Sequence, residues 1–282
     1  MIVFKHISDL KKHLKSIQEK GISIAFVPTM GALHQGHISL INAANKENNL
    51  LVSSIFVNPT QFNDPSDFEK YPKTLENDIR LLEQANCAIL FLPETEEIYP
   101  SGLENHFNYA LGYIETILEG QYRSGHFQGV CQVVHRLLNI VEPDTLYLGQ
   151  KDYQQCMIIQ KMIELTQLNI KVAIGATLRE SDGLAMSSRN MRLTEADRKT
   201  APKIFETLNW MMAQKHHLQP KEICTNATNQ LIDAGFVPDY AAICDAATLK
   251  PIDRFSDNIK PVYLIAASLN NIRLIDNIVE PN

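Results

Sequence analysis

Apolar positions along the chain alternate between helical and strand spacing. Leu10, Leu14 and Ile17 recur at intervals of four and three with lysines between them, and Gly21 follows, so a helix is predicted over 7–20. The apolar run from Ile22 to Val27 reads as a buried parallel strand, and residues 37–48 read as a helix. Residues 50–57 are rich in β-branched side chains and are bounded by Asn58-Pro59, which predicts a second strand. The two strands are one βαβ unit apart, so they are expected parallel, with a right-handed crossover.

The alternation continues with a helix over 74–86 (Leu75, Ile79, Leu82), a strand over 88–92 ended by Pro93, and an irregular stretch over 93–107. A helix over 127–141 carries Val130, Val133, Val134, Leu137 and Leu138. A strand over 145–148 stops at Gly149, and a helix over 152–167 and a strand over 170–174 complete the series. This order predicts an α/β fold, a doubly wound parallel sheet. Past residue 176 the pattern changes. A polar loop over 179–192 leads to helices over 195–216 and 221–234 and to two short β-like runs, 240–244 and 262–266. The expected division is a larger domain over 1–176 and a smaller α+β domain over 177–282. No internal repeat or low-complexity tract interrupts it.

Composition narrows the class. The chain has 282 residues, 45% hydrophobic and 21% charged, enough to bury a sizeable core. Net charge is −6, from 26 basic and 32 acidic residues, and no block of Lys and Arg advertises a nucleic-acid surface. The 5 cysteines are scattered, odd in number and outside any C-x-x-C pair, so they read as reduced, buried, small apolar residues. The start, Met1 to His6, lacks a signal-peptide pattern, and no run approaches the roughly 20 apolar residues of a membrane span. The expectation is a soluble cytoplasmic protein with no membrane or nucleic-acid partner.

Four stretches, each after a predicted strand, carry more polar specificity than a scaffold needs. Ligands of open α/β sheets bind at such strand ends. The first is Pro28-Thr29-Met30-Gly31-Ala32-Leu33-His34-Gln35-Gly36-His37. Free amides and the dipole at a helix start attract anions, and two imidazoles three residues apart add donors, which suits a polyphosphate. Two surface histidines at a helix start, one of them capping, would leave the same pattern. The second, Asn58-Pro59-Thr60-Gln61-Phe62, offers the Gln61 amide, which both donates and accepts and so suits a hydroxy acid; a plain polar turn is the other reading.

The third, Gly149-Gln150-Lys151-Asp152-Tyr153-Gln154-Gln155, places a lysine at a helix start. Gln154 and Gln155 project about a hundred degrees apart, so one at most is expected to face the site. A Lys–Asp surface pair is the alternative. The fourth runs from Arg179 to Asn190 through Met186-Ser187-Ser188-Arg189, where hydroxyls beside a guanidinium make a phosphate clamp and an interdomain linker is the alternative. A fifth piece, Arg123-Ser124-Gly125-His126, fits either the site or a loop-to-helix junction. His216-His217 reads as solvated. No Walker loop, G-x-G-x-x-G, H-E-x-x-H or G-x-S-x-G elbow is present.

Six segments in order resemble the pantothenate synthetase family. They are P-T-M-G-A-L-H-x-G-H at 28–37, S-I-F-V-N-P-x-Q-F at 54–62, G-H-F-x-G-V at 125–130, G-x-K-D-x-Q-Q at 149–155, D-G-L-A-M-S-S-R-N at 182–190 and R-L-I-D-N at 273–277. The resemblance spans most of the chain. It extends to the wider nucleotidyl-transferring group that shares the H-x-G-H loop, and the Met-Ser-Ser-Arg stretch resembles the K-M-S-K-S loop of class I aminoacyl-tRNA synthetases. It implies a Rossmann-like N-terminal domain, a smaller C-terminal domain closing over the site, and a homodimer. It also implies ATP-dependent condensation of pantoate with β-alanine through pantoyl adenylate, releasing AMP and pyrophosphate.

By motif position the resemblance puts Met30, Gly31, Ala32, Leu33, His34, Gln35, Gly36 and His37 at ATP, with His37 as proton donor. Gly149, Gln150, Lys151, Asp152, Leu178, Met186, Ser187, Ser188 and Arg189 complete the nucleotide site. His34, Lys151 and Arg189 join His37 as the groups that stabilise charge. Gln61 is implied at pantoate and β-alanine, Gln155 at pantoate, and Asp78 as a candidate Mg²⁺ contact. Two positions depart from the family pattern. Ser124 stands where proline is usual, and Asn270 where glycine is usual, although Asn tolerates positive φ. Two further readings stay open here: an H-x-G-H adenylyltransferase acting on a phosphate-bearing acceptor, and an ATP-binding regulatory module.

Overall fold

Six apolar runs pair into one sheet in the computed structural model, which describes residues 1–47, 50–62, 65–103 and 107–280. The strands are β1 (Ile2–Phe4), β2 (Ile24–Thr29), β3 (Leu50–Ile55), β4 (Ile89–Phe91), β5 (Thr145–Gly149) and β6 (Lys171–Gly175). Their order is β1-β4-β3-β2-β5-β6, and every pairing is parallel. The helices of this unit are α1 (Ile7–Gln18), α2 (Gln35–Glu47), α3 (Pro65–Glu69), α4 (Leu75–Gln84), α5 (Thr95–Ile98), α6 (Glu119–Tyr122), α7 (His126–Val141) and α8 (Tyr153–Thr166).

Alternation within the strands sends side chains to two cores. Ile24 and Phe26 pack with Leu10 of α1, Val130 of α7 and Ile158 of α8. Ala25 and Val27 pack on the opposite face with Ile41 of α2 and Leu82 of α4. The sheet is therefore covered on both faces, as a doubly wound fold requires. From β2 the chain steps outward through β3 to β4, then returns to place β5 against the other side of β2, with Phe26 beside Leu146. The strand order reverses between β2 and β5. The loops that leave those two strands flank the resulting crevice, and that is where ligands of such sheets bind.

The second sheet is antiparallel, ordered β7 (Phe236–Asp245), β8 (Pro261–Leu269), β9 (Ile272–Val279). Helices α10 (Lys203–Ala213) and α11 (Pro220–Asp233) pack on it through Ile204, Leu208, Ile223 and Leu231, while α9 (Glu195–Thr200) precedes them. The single helix expected over 195–216 is two, because Pro202 interrupts the backbone hydrogen bonding between them. The short runs expected at 240–244 and 262–266 are the second half of β7 and the first half of β8. Two strands were not expected at all. β1 has three residues, too few for periodicity to register, with Ile2 and Val3 half-exposed. β9 contains the whole R-L-I-D-N segment. Asn270 takes φ +51° ahead of it, so the turn survives without glycine, and Gly125 keeps φ +76° after Ser124. Residue 48 of the expected helix and 104–106 of the expected irregular stretch lie outside the described residues. Among the described residues no helix is long and apolar enough to cross a membrane.

Candidate active site

The loop after β2 is held from two sides. Gly31 and Ala32 both adopt positive φ, +79° and +49°, which turns the chain sharply toward α2. A left-handed alanine is costly alone. Asp78 of α4 offsets that cost: its Oδ2 accepts the Ala32 N–H at 2.9 Å and its Oδ1 the Leu33 N–H at 2.8 Å. Thr74 donates its hydroxyl to the same Oδ1 at 3.0 Å. A Cβ on Gly31 would stand 3.1 Å from Asp78 Oδ2, so glycine is needed there. From the opposite side Ser188 Oγ donates to the Ala32 carbonyl at 2.9 Å, joining the Met186–Arg189 segment to this loop. Asp78, expected at Mg²⁺, is 1% exposed and does not line the cavity, because its carboxylate is committed to the loop backbone.

Two histidines open α2. The backbone N–H of Gly36 donates to His34 Nδ1 at 3.2 Å, and that of His34 to His37 Nδ1 at 3.3 Å. The His34 imidazole thus caps the helix and still lines the cavity. A nitrogen that accepts carries no proton, so both neutral rings bear theirs on Nε2. Burial, with His37 and Lys151 near, lowers His34 to about 3. Burial, with Lys151 near, lowers His37 to about 4. The pair is neutral at pH 7 and presents N–H donors rather than positive charge. Gly36 is required beside it, since a Cβ would lie 2.9 Å from the His34 ring.

The cavity these groups line has a volume of about 240 Å³. It brings together Met30, His34, Gly36, His37, Gly149, Lys151, Asp152, Leu178, Met186, Ser187, Ser188 and Arg189, with Gln61 and Gln155. Of the expected ATP residues, Gly31, Ala32, Leu33, Gln35 and Gln150 do not line it. The first three shape the turn, Gln35 is exposed, and Gln150 bonds to the second unit. Among the described residues Lys151 forms no ion pair. Arg189 does: its Nη2 donates to Asp67 Oδ2 at 2.9 Å, while Arg192 Nη1 donates to Asp67 Oδ1 at 2.7 Å. A wider cleft of about 640 Å³ adjoins, sharing Arg123, Lys151, Asp152, Ser187 and Arg189.

The amide end of the cavity is built on α7. Gly129 packs so closely on the turn over Pro59–Gln61 that a Cβ would come 2.4 Å from the Thr60 carbonyl. Asn58, 1% exposed, donates to Gln61 Oε1 at 3.2 Å, and Gln61 Nε2 lies 3.1 Å from Met30 Sδ. His126 Nδ1 donates to the Gln61 carbonyl at 2.8 Å, so this ring has the opposite tautomer to His37. Val130, Val133 and Val134, on one face of α7, form an apolar wall next to Gln61 and Gln155. Gln155 faces the cavity; Gln154 is 3% exposed and bonds instead to the 114–119 segment.

Several lining residues carried no signal of their own. Thr177 lines the cavity, and its buried hydroxyl has no partner among the described residues. Tyr71 and Asp67 come from the 65–74 segment, whose polarity is that of an ordinary loop. The valines read only as helix core. Asn58 stood within a motif, but a buried amide that orients another amide looks like any turn asparagine until the partner is seen.

The model of the family described as Pantoate-beta-alanine ligase matches residues 2–279. The pantothenate synthetase of Azobacteroides pseudotrichonymphae is 43% identical over 283 residues, covering 99% of both chains. That of Marinomonas sp. is 44% identical over 280 residues, again covering 99% of both. The crystal structure of pantothenate synthetase from Thermus thermophilus superposes with a TM-score of 0.90 at 36% identity, covering 99% of both chains. The pantoate-beta-alanine ligase of Francisella tularensis, complexed with beta-gamma ATP and beta-alanine, gives 0.84 at 38% identity, covering 99% of this chain and 97% of that one. On sequence and fold together, this chain belongs to the pantoate–β-alanine ligase family.

Proposed function

We propose that the chain condenses pantoate with β-alanine at the expense of ATP, forming pantothenate, AMP and pyrophosphate through a pantoyl adenylate. The observation that carries this reading is one cavity in which phosphate donors and neutral amides stand side by side. His34, His37, Lys151 and the Ser187–Arg189 turn suit a triphosphate, and Gln61 and Gln155 suit a hydroxy acid. The valine wall of α7 suits a branched aliphatic body, so the acid would lie with its carbons on α7 and its polar groups on the amides. The nucleotide would lie along Leu178 and Met186, with its phosphates toward α2.

In the first half-reaction a pantoate carboxylate oxygen attacks the α-phosphorus, and the bond to the bridging oxygen breaks as pyrophosphate leaves. Charge grows on that oxygen, so catalysis is positioning plus electrostatic stabilisation. His37 and His34 supply Nε2–H donors, Lys151 and Arg189 supply charge, and Ser187 and Ser188 supply hydroxyls. In the second half-reaction the β-alanine amine attacks the acyl carbon and AMP leaves. Arg123 lines both the cavity and the wider cleft, and in this reading it would take the β-alanine carboxylate. No protein nucleophile is needed.

Mg²⁺ in such sites is held by one or two carboxylates and by the phosphates themselves. Asp152 is the carboxylate on the cavity wall, and among the described residues no cluster of three or more metal-ligating side chains forms a ready cage. That donor set fits an ion arriving with ATP: Asp152 would hold it, and the ion would neutralise phosphate charge. The same reading takes residues 177–282 as a domain closing over the site, and the protein as a cytoplasmic homodimer, as the family resemblance implies. The test is a product assay with ATP, Mg²⁺, pantoate and β-alanine. Pantothenate with AMP and pyrophosphate is expected; a dinucleotide product, or nucleotide binding without turnover, would contradict it.

A further inference from the structure

The R-L-I-D-N segment sits on β9, outside the parallel sheet, and lines only the margin of the site. Its last two residues, Asp276 and Asn277, are 4% and 2% exposed. Asn277 spends both amide hydrogens on the loop after β5: Nδ2 donates to the Gln150 carbonyl at 3.0 Å and to the Lys151 carbonyl at 2.8 Å. Its Oδ1 accepts from Gln150 Nε2 at 3.4 Å. A buried amide whose donors both go to backbone carbonyls of one turn fixes that turn against the neighbouring sheet. Asp276, one residue earlier, takes the guanidinium of Arg179 on both oxygens, at 2.5 Å to Oδ2 and 3.1 Å to Oδ1. Arg179 also donates to the Asn277 and Gly183 carbonyls, each at 3.2 Å, and lies over the Phe205 ring. Arg179 pairs with Ala185 across a β-bridge, directly ahead of Met186. One dipeptide of β9 therefore ties down both the turn that bears Lys151 and the bridge that leads into Met186–Arg189.

We infer that Asn277 is a positioning residue for adenylation, setting Lys151 against the nucleotide phosphates, with Asp276 setting the opposite wall through Arg179. Asn277 does not line the cavity and acts through the backbone of residues 150–151. The inference rests on the proposed role of Lys151. It differs from a merely structural role in its selectivity. Gln61 stands on the turn after β3, and Gln155 lies within α8, past the two carbonyls that Asn277 holds, so loss of Asn277 weakens use of ATP and leaves pantoate recognition alone.

The experiment measures pantoate-dependent ATP–pyrophosphate exchange for Asn277→Ala and Asn277→Asp, each in the native and in the Lys151→Ala background. Thermal unfolding is followed in parallel. Asn277→Ala is expected to raise the ATP KM and lower exchange by about tenfold, with the pantoate KM unchanged, and to add less than about twofold once Lys151 is gone. Asn277→Asp keeps the shape of the side chain, so it serves even where the alanine variant folds poorly. Its carboxylate faces two carbonyl oxygens. Exchange is expected to fall at least as far, and to recover in part at lower pH, where the protonated acid donates one hydrogen bond. Equal fold losses in both backgrounds, or a pantoate KM rising in step with that for ATP, would overturn the inference. Absence of pantoate-dependent exchange in the native protein is a separate outcome, and it overturns the functional reading itself.

Discussion

The backbone N–H of His34 donates to Nδ1 of His37 at 3.3 Å, and this contact decides where His37 carries its proton. The imidazole is left with Nε2–H as its free donor. His34 is arranged likewise by the Gly36 amide. With the rings at about 3 and about 4, neither is charged in the free protein near neutrality. The pH profile of kcat/KM for ATP, which reports the free enzyme, is therefore expected to show no break near the ordinary histidine value of about 6.5. A break there that disappears in His37→Ala would contradict this.

Asp78 is expected to act on the loop and not on the metal. Asp78→Ala leaves the Ala32 and Leu33 amides without their buried acceptor, a loss of about 3 kcal/mol in stability. Urea unfolding measures that loss. Titration of activity with Mg²⁺ should give an unchanged half-saturation for whatever folded fraction remains; a large rise would make Asp78 a metal ligand after all.

Stability is expected to fall on acidification. His34 and His126 are held down to about 3 and His37 to about 4, with burial the largest cause in each. Below about 6.5 the unfolded chain binds protons that the folded chain refuses, so stability declines as pH falls through the window from about 6.5 to 4. Above the unfolded value the three imidazoles are neutral in both states and contribute no slope. Urea midpoints compared at about pH 7.5 and about pH 5 should drop, and His126→Asn should flatten part of the drop. Equal midpoints would contradict this.

Gln61 is expected to govern the acid and not the nucleotide. Gln61→Ala should raise the pantoate KM by roughly tenfold to a hundredfold and leave the ATP KM within about twofold. Asn58→Ala should do the same more weakly, because Asn58 only orients the Gln61 amide. Parallel increases in both constants would place Gln61 elsewhere in the site.

Much of this site was legible because its residues lie in short segments at strand ends. Lys151 and His37 each follow a strand that periodicity identifies, and the order of strands predicts where those ends meet. Long-range partners left no such trace. Asp78 reads as a polar first-turn residue of a helix, and only the fold carries its carboxylate to amides 45 and 46 positions away. Asn277 hides in the same way, in a strand whose apolar neighbours face the second core. Asp67 is the clearest case. One acid among several in a polar stretch gives no sign that it bridges Arg189 and Arg192 from more than a hundred residues upstream. The break at Pro202 was visible in principle, but the apolar spacing on either side of it continued the helix.

The most direct test of the central claim is ATP–pyrophosphate exchange in the presence of Mg²⁺ with each substrate added singly, in the native protein and in His37→Ala. The account predicts exchange with pantoate alone, none with β-alanine alone, and a fall of about a hundredfold or more in His37→Ala with the fold retained. Exchange driven by another acid with none from pantoate, or near-native exchange in His37→Ala, would contradict it.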